Sequence, residues 1–163
     1  MPLLYKGELI GANRELEVML HQLVDMSNNL QQMISKYQMH LFKNTYGDRR
    51  SISVIFVAIK RLLMYVTALG KAGEELFNKN ILENKGKLNA RIELMEAVLG
   101  SIEEVFLHIW AGVVSDEQTG HLRYADNITR RESKKMLNDI EATLKKFKSL
   151  GKKILREIKK MVK

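Results

Sequence analysis

The chain has no cysteine and a single proline, Pro2, among its 163 residues. Without thiols it can form neither a disulfide nor a thiolate-bound metal centre, a composition that agrees with a reducing compartment. With one proline and few turn-forming clusters, it lacks the punctuation of an all-β fold. Long uncharged runs are missing too. The most apolar stretch, residues 51–70, reads SISVIFVAIKRLLMYVTALG and is cut by Lys60 and Arg61. No run reaches the roughly 18 uncharged apolar residues of a spanning helix. Lys6 and Glu8 come too early for a signal peptide. These absences predict a soluble, cytoplasmic protein.

What is present suits one domain of helices over residues 1–163. Apolar residues make up 45% of the chain, enough for a core, and charged residues 28%. Leu16, Leu20, Leu23, Leu30, Ile34, Tyr37 and Leu41 recur at threes, fours and sevens, one face of a helix over about 8–43. KNTYGD then breaks the chain, with Gly47 free to take positive φ and Asp48 or Ser51 able to cap the next helix. Ile52, Val54, Ile55 and Val57 are β-branched, but Ile55, Ile59, Leu62, Val66 and Leu69 keep a helical rhythm over 49–79. After the linker NKNILENKGK, the residues Leu88, Ile92, Met95, Leu99, Ile102, Phe106, Ile109 and Val113 alternate fours and threes over 87–114. That 3.5-residue period describes near-parallel helix packing. SDEQTG is the next break, and Thr129 with Glu132 is placed to form a capping box for a helix over 129–162. Residues 116–128 carry no clear pattern. Four amphipathic helices with short polar connections predict an all-α, antiparallel up-down four-helix bundle.

Catalytic signals are sparse. A di-metal bundle needs Glu-x-x-His pairs, whereas this chain offers His21 with Asp25 and Glu104 with His108, both spaced by four. That spacing is ordinary for a pair on one helix face. No Arg stands four to six residues before any of the four histidines, as in the nucleic-acid-cleaving HEPN domains. Gly-rich phosphate loops and Gly-x-Ser-x-Gly elbows are missing. Gly100 and Gly112 read as points of close helix packing, and Trp110 as a core or subunit contact. The reading is of a protein that is not an enzyme and needs no metal or cofactor.

The charge is concentrated at the end. Residues 145–163 hold nine Lys or Arg and one Glu, a net +8 that equals the charge of the whole chain. On a helical wheel Lys145, Lys146, Lys148, Lys152, Lys153, Arg156, Lys159, Lys160 and Lys163 fall within an arc of about 160°. Phe147, Leu150, Ile154, Ile158 and Met161 lie opposite. A solvated face normally mixes both signs, because like charges repel at each i, i+4 step. Here Glu157 is the only local acid in the sequence, which points to an anionic partner. A nucleic-acid backbone fits best. A merely solvated face and a membrane-surface helix are the alternatives, the latter weakened because the apolar side continues the core seam. No aromatics interleave with the lysines, so contact with phosphates or folded RNA by shape is expected rather than base stacking. Arg49, Arg50, Arg130 and Arg131, at two helix beginnings, are candidate extensions. Val98, Val105, Trp110 and Val114 give the third helix an apolar surplus, which predicts a homo-oligomer.

The layout resembles a known group. YGDRRS, ALGKAGEELFNKN, KLNARIELMEAVLGSIEEVF and a final helix after SDEQ, together about Leu41 to Ile154, are similar to a four-helix-bundle family. That family contains the accessory variability determinant of diversity-generating retroelements and the proteins of ribosomal-RNA intervening sequences. Its Gly-Gly-Trp-type ending is replaced here by SLGKK. The resemblance implies a basic homo-oligomer, a pentameric barrel, that binds a reverse transcriptase and its template RNA without supplying catalytic residues. The expectation is therefore a non-catalytic RNA-binding accessory protein of a mobile or diversity-generating element. A structural bundle of a phage or mobile element, without nucleic acid, is the rival reading.

Overall fold

Each of four apolar stripes repeats at alternating fours and threes, and each forms one helix. The computed structural model describes residues 14–77 and 84–161. The helices are α1 (Arg14–Asn44), α2 (Arg49–Glu75), α3 (Lys85–Thr119) and α4 (Asn127–Met161), with two short strands, β1 (Thr45–Gly47) and β2 (Leu122–Tyr124). Residues 8–13, 78–83 and 162–163, to which the sequence assigns helix ends, a linker and the last lysine, lie outside the described residues.

α1 packs on α2 and α4, and α3 packs on the same two helices, so the four form a ring around one core. The stripes meet there: Leu20, Leu30 and Tyr37 from α1, Ile59 and Val66 from α2, Met95 and Ile109 from α3, Phe147 and Ile154 from α4 are all essentially inaccessible. The β-branched run at 52–57 is helical, because Ile55 and Ile59 join the buried stripe of α2 and packing outweighs local propensity.

The two strands pair antiparallel, with Thr45 opposite Tyr124 and Gly47 opposite Leu122. β1 connects α1 to α2, and β2 connects α3 to α4, so the ribbon ties both corners to one end of the molecule. The chain therefore runs up, down, up, down. Gly47 is required in the ribbon: its φ is 147°, and a Cβ there would lie 2.1 Å from the His121 carbonyl oxygen.

The region from 116 to 128 resolves into three pieces. α3 continues through Ser115–Thr119, past the expected break, and stops at Gly120, whose φ of 79° provides a left-handed cap. β2 comes next, and then α4 begins at Asn127. The capping box lies three residues earlier than Thr129 with Glu132 would put it. Asp126 accepts from the Thr129 backbone N–H at 2.8 Å, and Thr129 Oγ1 accepts from the Asp126 N–H at 3.3 Å. Asp48 caps α2, accepting from the N–H groups of Arg50 and Ser51. Asn84 caps α3, so Gly86 belongs to the first turn of that helix and not to the linker.

Two side-chain expectations change. Among the described residues Gly100 has no atom within 4 Å of a would-be Cβ, so it is not a point of close packing; Gly70, Gly73 and Gly151 are the close ones. Val98 and Val105 are buried in the bundle, and Trp110 packs partly buried against it beside Phe106. Exposed apolar side chains lie instead on α2, where Val54, Val57 and Met64 are more than half exposed, on α1 at Met39 and Phe42, and on α3 at Leu107.

Candidate nucleic-acid interface

α4 presents its two sides unequally. The side built from Leu137, Ile140, Leu144, Phe147, Ile154 and Ile158 is buried in the core. With that side fixed, the lysines turn outward: Lys145, Lys146, Lys152, Lys153, Arg156, Lys159 and Lys160 are exposed, and Lys148 is partly covered. The helix holds them in this display because its seam supplies the packing energy while the polar arc contributes almost none. Full burial of a Phe147-sized side chain stabilises by up to about 3 kcal/mol.

The face is less uniform than the sequence of α4 alone indicates. α3 brings acids to its flank, so Glu157 is not the only local acid. Lys148 pairs with Glu103, Lys159 with Glu96 at 2.8 Å, and Lys160 with Glu157 at 3.5 Å. The Glu103 carboxyl is held below the usual carboxylate range first by its hydrogen bond from Lys148, with further help from Lys152 and Lys145. Exposed pairs of this kind contribute little stability, but each local acid reduces the field its lysine offers to another anion. Among the described residues Lys145, Lys146, Lys152, Lys153 and Arg156 form no ion pair. They are the unneutralised centre of the face.

The arginine doublets separate. Arg131 stands at the start of α4 on the outer arc, and Arg130 beside it is paired with Glu117 of α3. Arg49 and Arg50 stand at the start of α2, which packs on α1 and α3 rather than on α4. They open onto an apolar groove between α2 and α3, of about 1030 Å³, together with Arg61 and His108. They are therefore not part of the α4 surface. Lys134 and Lys135 do belong to it, being exposed and in phase with the lysines downstream. The same 100° arithmetic, carried back from Lys145 along the helix predicted over 129–162, finds them.

Among the described residues no three His, Asp or Glu side chains converge as metal ligands. His40 is engaged structurally: one ring nitrogen lies 3.0 Å from the Thr129 carbonyl and the other 3.2 Å from Asn44 Nδ2, joining α1 to the first turn of α4. α2 and α3 each hold a window apolar enough to cross a membrane by length and composition, only 28% and 39% buried in the bundle. The sequence reading missed these by counting only uncharged runs. Lys60 and Arg61 fall inside the first window, and Glu103 and Glu104 inside the second. Comparison with protein-family models, curated proteins and solved structures finds no match to this chain.

Proposed function

We propose that the protein is a non-catalytic nucleic-acid-binding bundle that holds RNA against the outer face of α4 and serves a reverse transcriptase of a mobile or diversity-generating element. One observation carries the binding part: five cations, Lys145, Lys146, Lys152, Lys153 and Arg156, stand exposed on a rigid helix, unpaired among the described residues. The repulsion among them is relieved when phosphates replace counterions. The reverse transcriptase enters through the layout resemblance between Leu41 and Ile154. Fluorescence anisotropy with labelled RNA tests the face. Replacing those five residues by Gln abolishes most of the affinity, whereas Lys148→Gln, already neutralised by Glu103, changes it little. Equal losses from both variants count against the assignment.

Self-association belongs to the same reading, as a ring of five if the resemblance holds. α2 presents an apolar and basic outer face of Val54, Val57, Lys60, Arg61 and Met64. α3 presents an acidic one, with Glu104, Leu107 and the small Gly100 and Ala111. Val54, Val57 and Arg61 share one groove with Ala111 and His108, so a second copy would seat on both helices at once.

The apolar windows in α2 and α3 favour a second reading, a membrane-associated bundle. Against it, inserting a Lys, Arg or acid at the centre of a spanning helix costs about 2.5–3.5 kcal/mol each, and the two windows carry four such residues. Flotation with anionic vesicles separates the readings: a protein that floats whether or not RNA is present belongs to the second.

A further inference from the structure

The basic face of α4 extends further toward its N-terminus than the terminal lysines. Arg131, Lys134 and Lys135 are exposed, form no ion pair among the described residues and point to the same side as Lys145, Lys153 and Arg156. Between the two groups the outward positions are Asn138 and Ala142, uncharged and exposed. Of the acids of α4, Glu132, Asp139 and Glu157 fall on one flank off this arc, while Glu141, half-buried, lies near its other edge at the angle of Lys159. The result is two cationic clusters on one uninterrupted helix of 35 residues. At 1.5 Å per residue their centres, near residues 133 and 152, are about 29 Å apart.

That separation is comparable to one turn of a nucleic-acid double helix, about 34–36 Å in B-form DNA, and the length of the second cluster, from Lys145 to Lys160, spans the difference. A straight rod bearing two clusters one turn apart meets the phosphates of a duplex on the same side twice, with the neutral segment over the groove between. A single strand offers no such fixed spacing. Proteins that hold single strands gain much of their affinity from bases stacked on aromatic side chains. The arc has none, since the one aromatic of this part of α4, Phe147, is fully buried. We infer that the outer face of α4 binds double-helical nucleic acid, Arg131, Lys134 and Lys135 engaging one turn and the Lys145–Lys160 cluster the next. The inference rests on the nucleic-acid reading of α4 and specifies the form of ligand.

Anisotropy titrations of the full chain with four labelled probes test it: an RNA duplex of about 24 bp, a DNA duplex of the same length, an RNA hairpin with a stem of about 8 bp, and an unstructured RNA strand of about 24 nucleotides. The stem is shorter than one turn of about 10 bp and reaches only one cluster. The long duplexes bind at least tenfold more tightly than the strand. The variant Arg131→Gln, Lys134→Gln, Lys135→Gln loses about tenfold on the long duplexes, with a salt dependence flatter by about two to three in log–log slope. Its affinity for the short stem is unchanged. All three positions are exposed, so the variant keeps the parent's circular dichroism and Tm. Tighter binding of the RNA duplex assigns the face to A-form geometry and tighter binding of DNA to B-form; either supports the inference. A strand bound as tightly as the long duplexes, or a variant equally weakened on stem and long duplex, overturns it while leaving nucleic-acid binding in place. If no probe binds at low salt, both the inference and the reading beneath it fail.

Discussion

Gly70 faces Ser27 across the α1–α2 contact so closely that a Cβ there would lie 2.1 Å from the Ser27 Oγ and 2.4 Å from its Cβ. The serine is buried and donates to the Val66 carbonyl at 2.9 Å, so it has nowhere to turn. Overpacking of this kind costs about 1–3 kcal/mol, partly offset by the better helix propensity of alanine, about 1 kcal/mol. Gly70→Ala is expected to lower stability to chemical denaturation, and the swap Ser27→Gly with Gly70→Ala to restore part of it. Gly100→Ala is expected to do the opposite. With open space around it, the variant gains about 0.8–1 kcal/mol from propensity alone in the isolated bundle. Periodicity marks which helix a glycine sits in, but not how near the next helix passes; that is why Gly100 looks like a packing glycine in the sequence and Gly70 does not. Tyr37 adds a third test. Its hydroxyl is buried with no hydrogen-bond partner among the described residues, and burial pushes its phenol far above the usual range, with the neighbouring Tyr124 adding to it. Removing a buried, unpaired hydroxyl is neutral or favourable. Tyr37→Phe should leave Tm unchanged or raise it; a fall would show that the hydroxyl is satisfied.

At the scale of elements, the helices were legible and their ends were less so. The apolar stripes placed all four helices, because a helical repeat sustained over five to eight positions leaves little else for the chain to do. Their termini depend on a few polar residues and on tertiary neighbours. α3 runs on through SDEQT because those residues, exposed or half-buried, tolerate a helix, and Gly120 ends it. The β1–β2 ribbon, three residues on each side, is too short for any alternation to announce it. The caps carry a pH dependence. The Asp126 carboxyl is held below its usual range first by the Thr129 backbone N–H, and that of Asp48 first by the Ser51 N–H. A carboxylate depressed in the folded state contributes stability above its unfolded pKa, about 3.9, and loses it as pH falls through the lower folded value. Thermal stability should therefore hold from neutral pH to about pH 4 and fall below it. Asn caps a helix as well as Asp does but does not titrate. Asp48→Asn with Asp126→Asn should melt like the parent at pH 7 and lose less stability on acidification; parallel pH curves for both proteins would contradict the assignment.

For the whole molecule, the net charge of +8 is confined to α4 and partly answered by the acids of α3. The basic arc was readable from the sequence because helical geometry alone sets it. The pairing of Lys148 and Lys159 was not, since Glu103 and Glu96 come from a helix whose position only the fold reveals. The same holds for Arg49 and Arg50, which look like part of one basic surface and lie on another. The exposed apolar residues of α2 predict concentration-dependent association by sedimentation velocity. Val57→Lys with Met64→Lys should shift the protein to the monomer without lowering its helicity, because both side chains already face outward. The central claim is that the unpaired cations of α4 bind nucleic-acid phosphates. It is tested most directly by the salt dependence of RNA affinity in the parent and in the variant with Lys145, Lys146, Lys152, Lys153 and Arg156 replaced by Gln. Each lost phosphate contact should flatten the log–log slope by about 0.7–0.9, so the account predicts a variant slope smaller by about 3.5 to 4.5 units. The same slope and affinity in both proteins would contradict it.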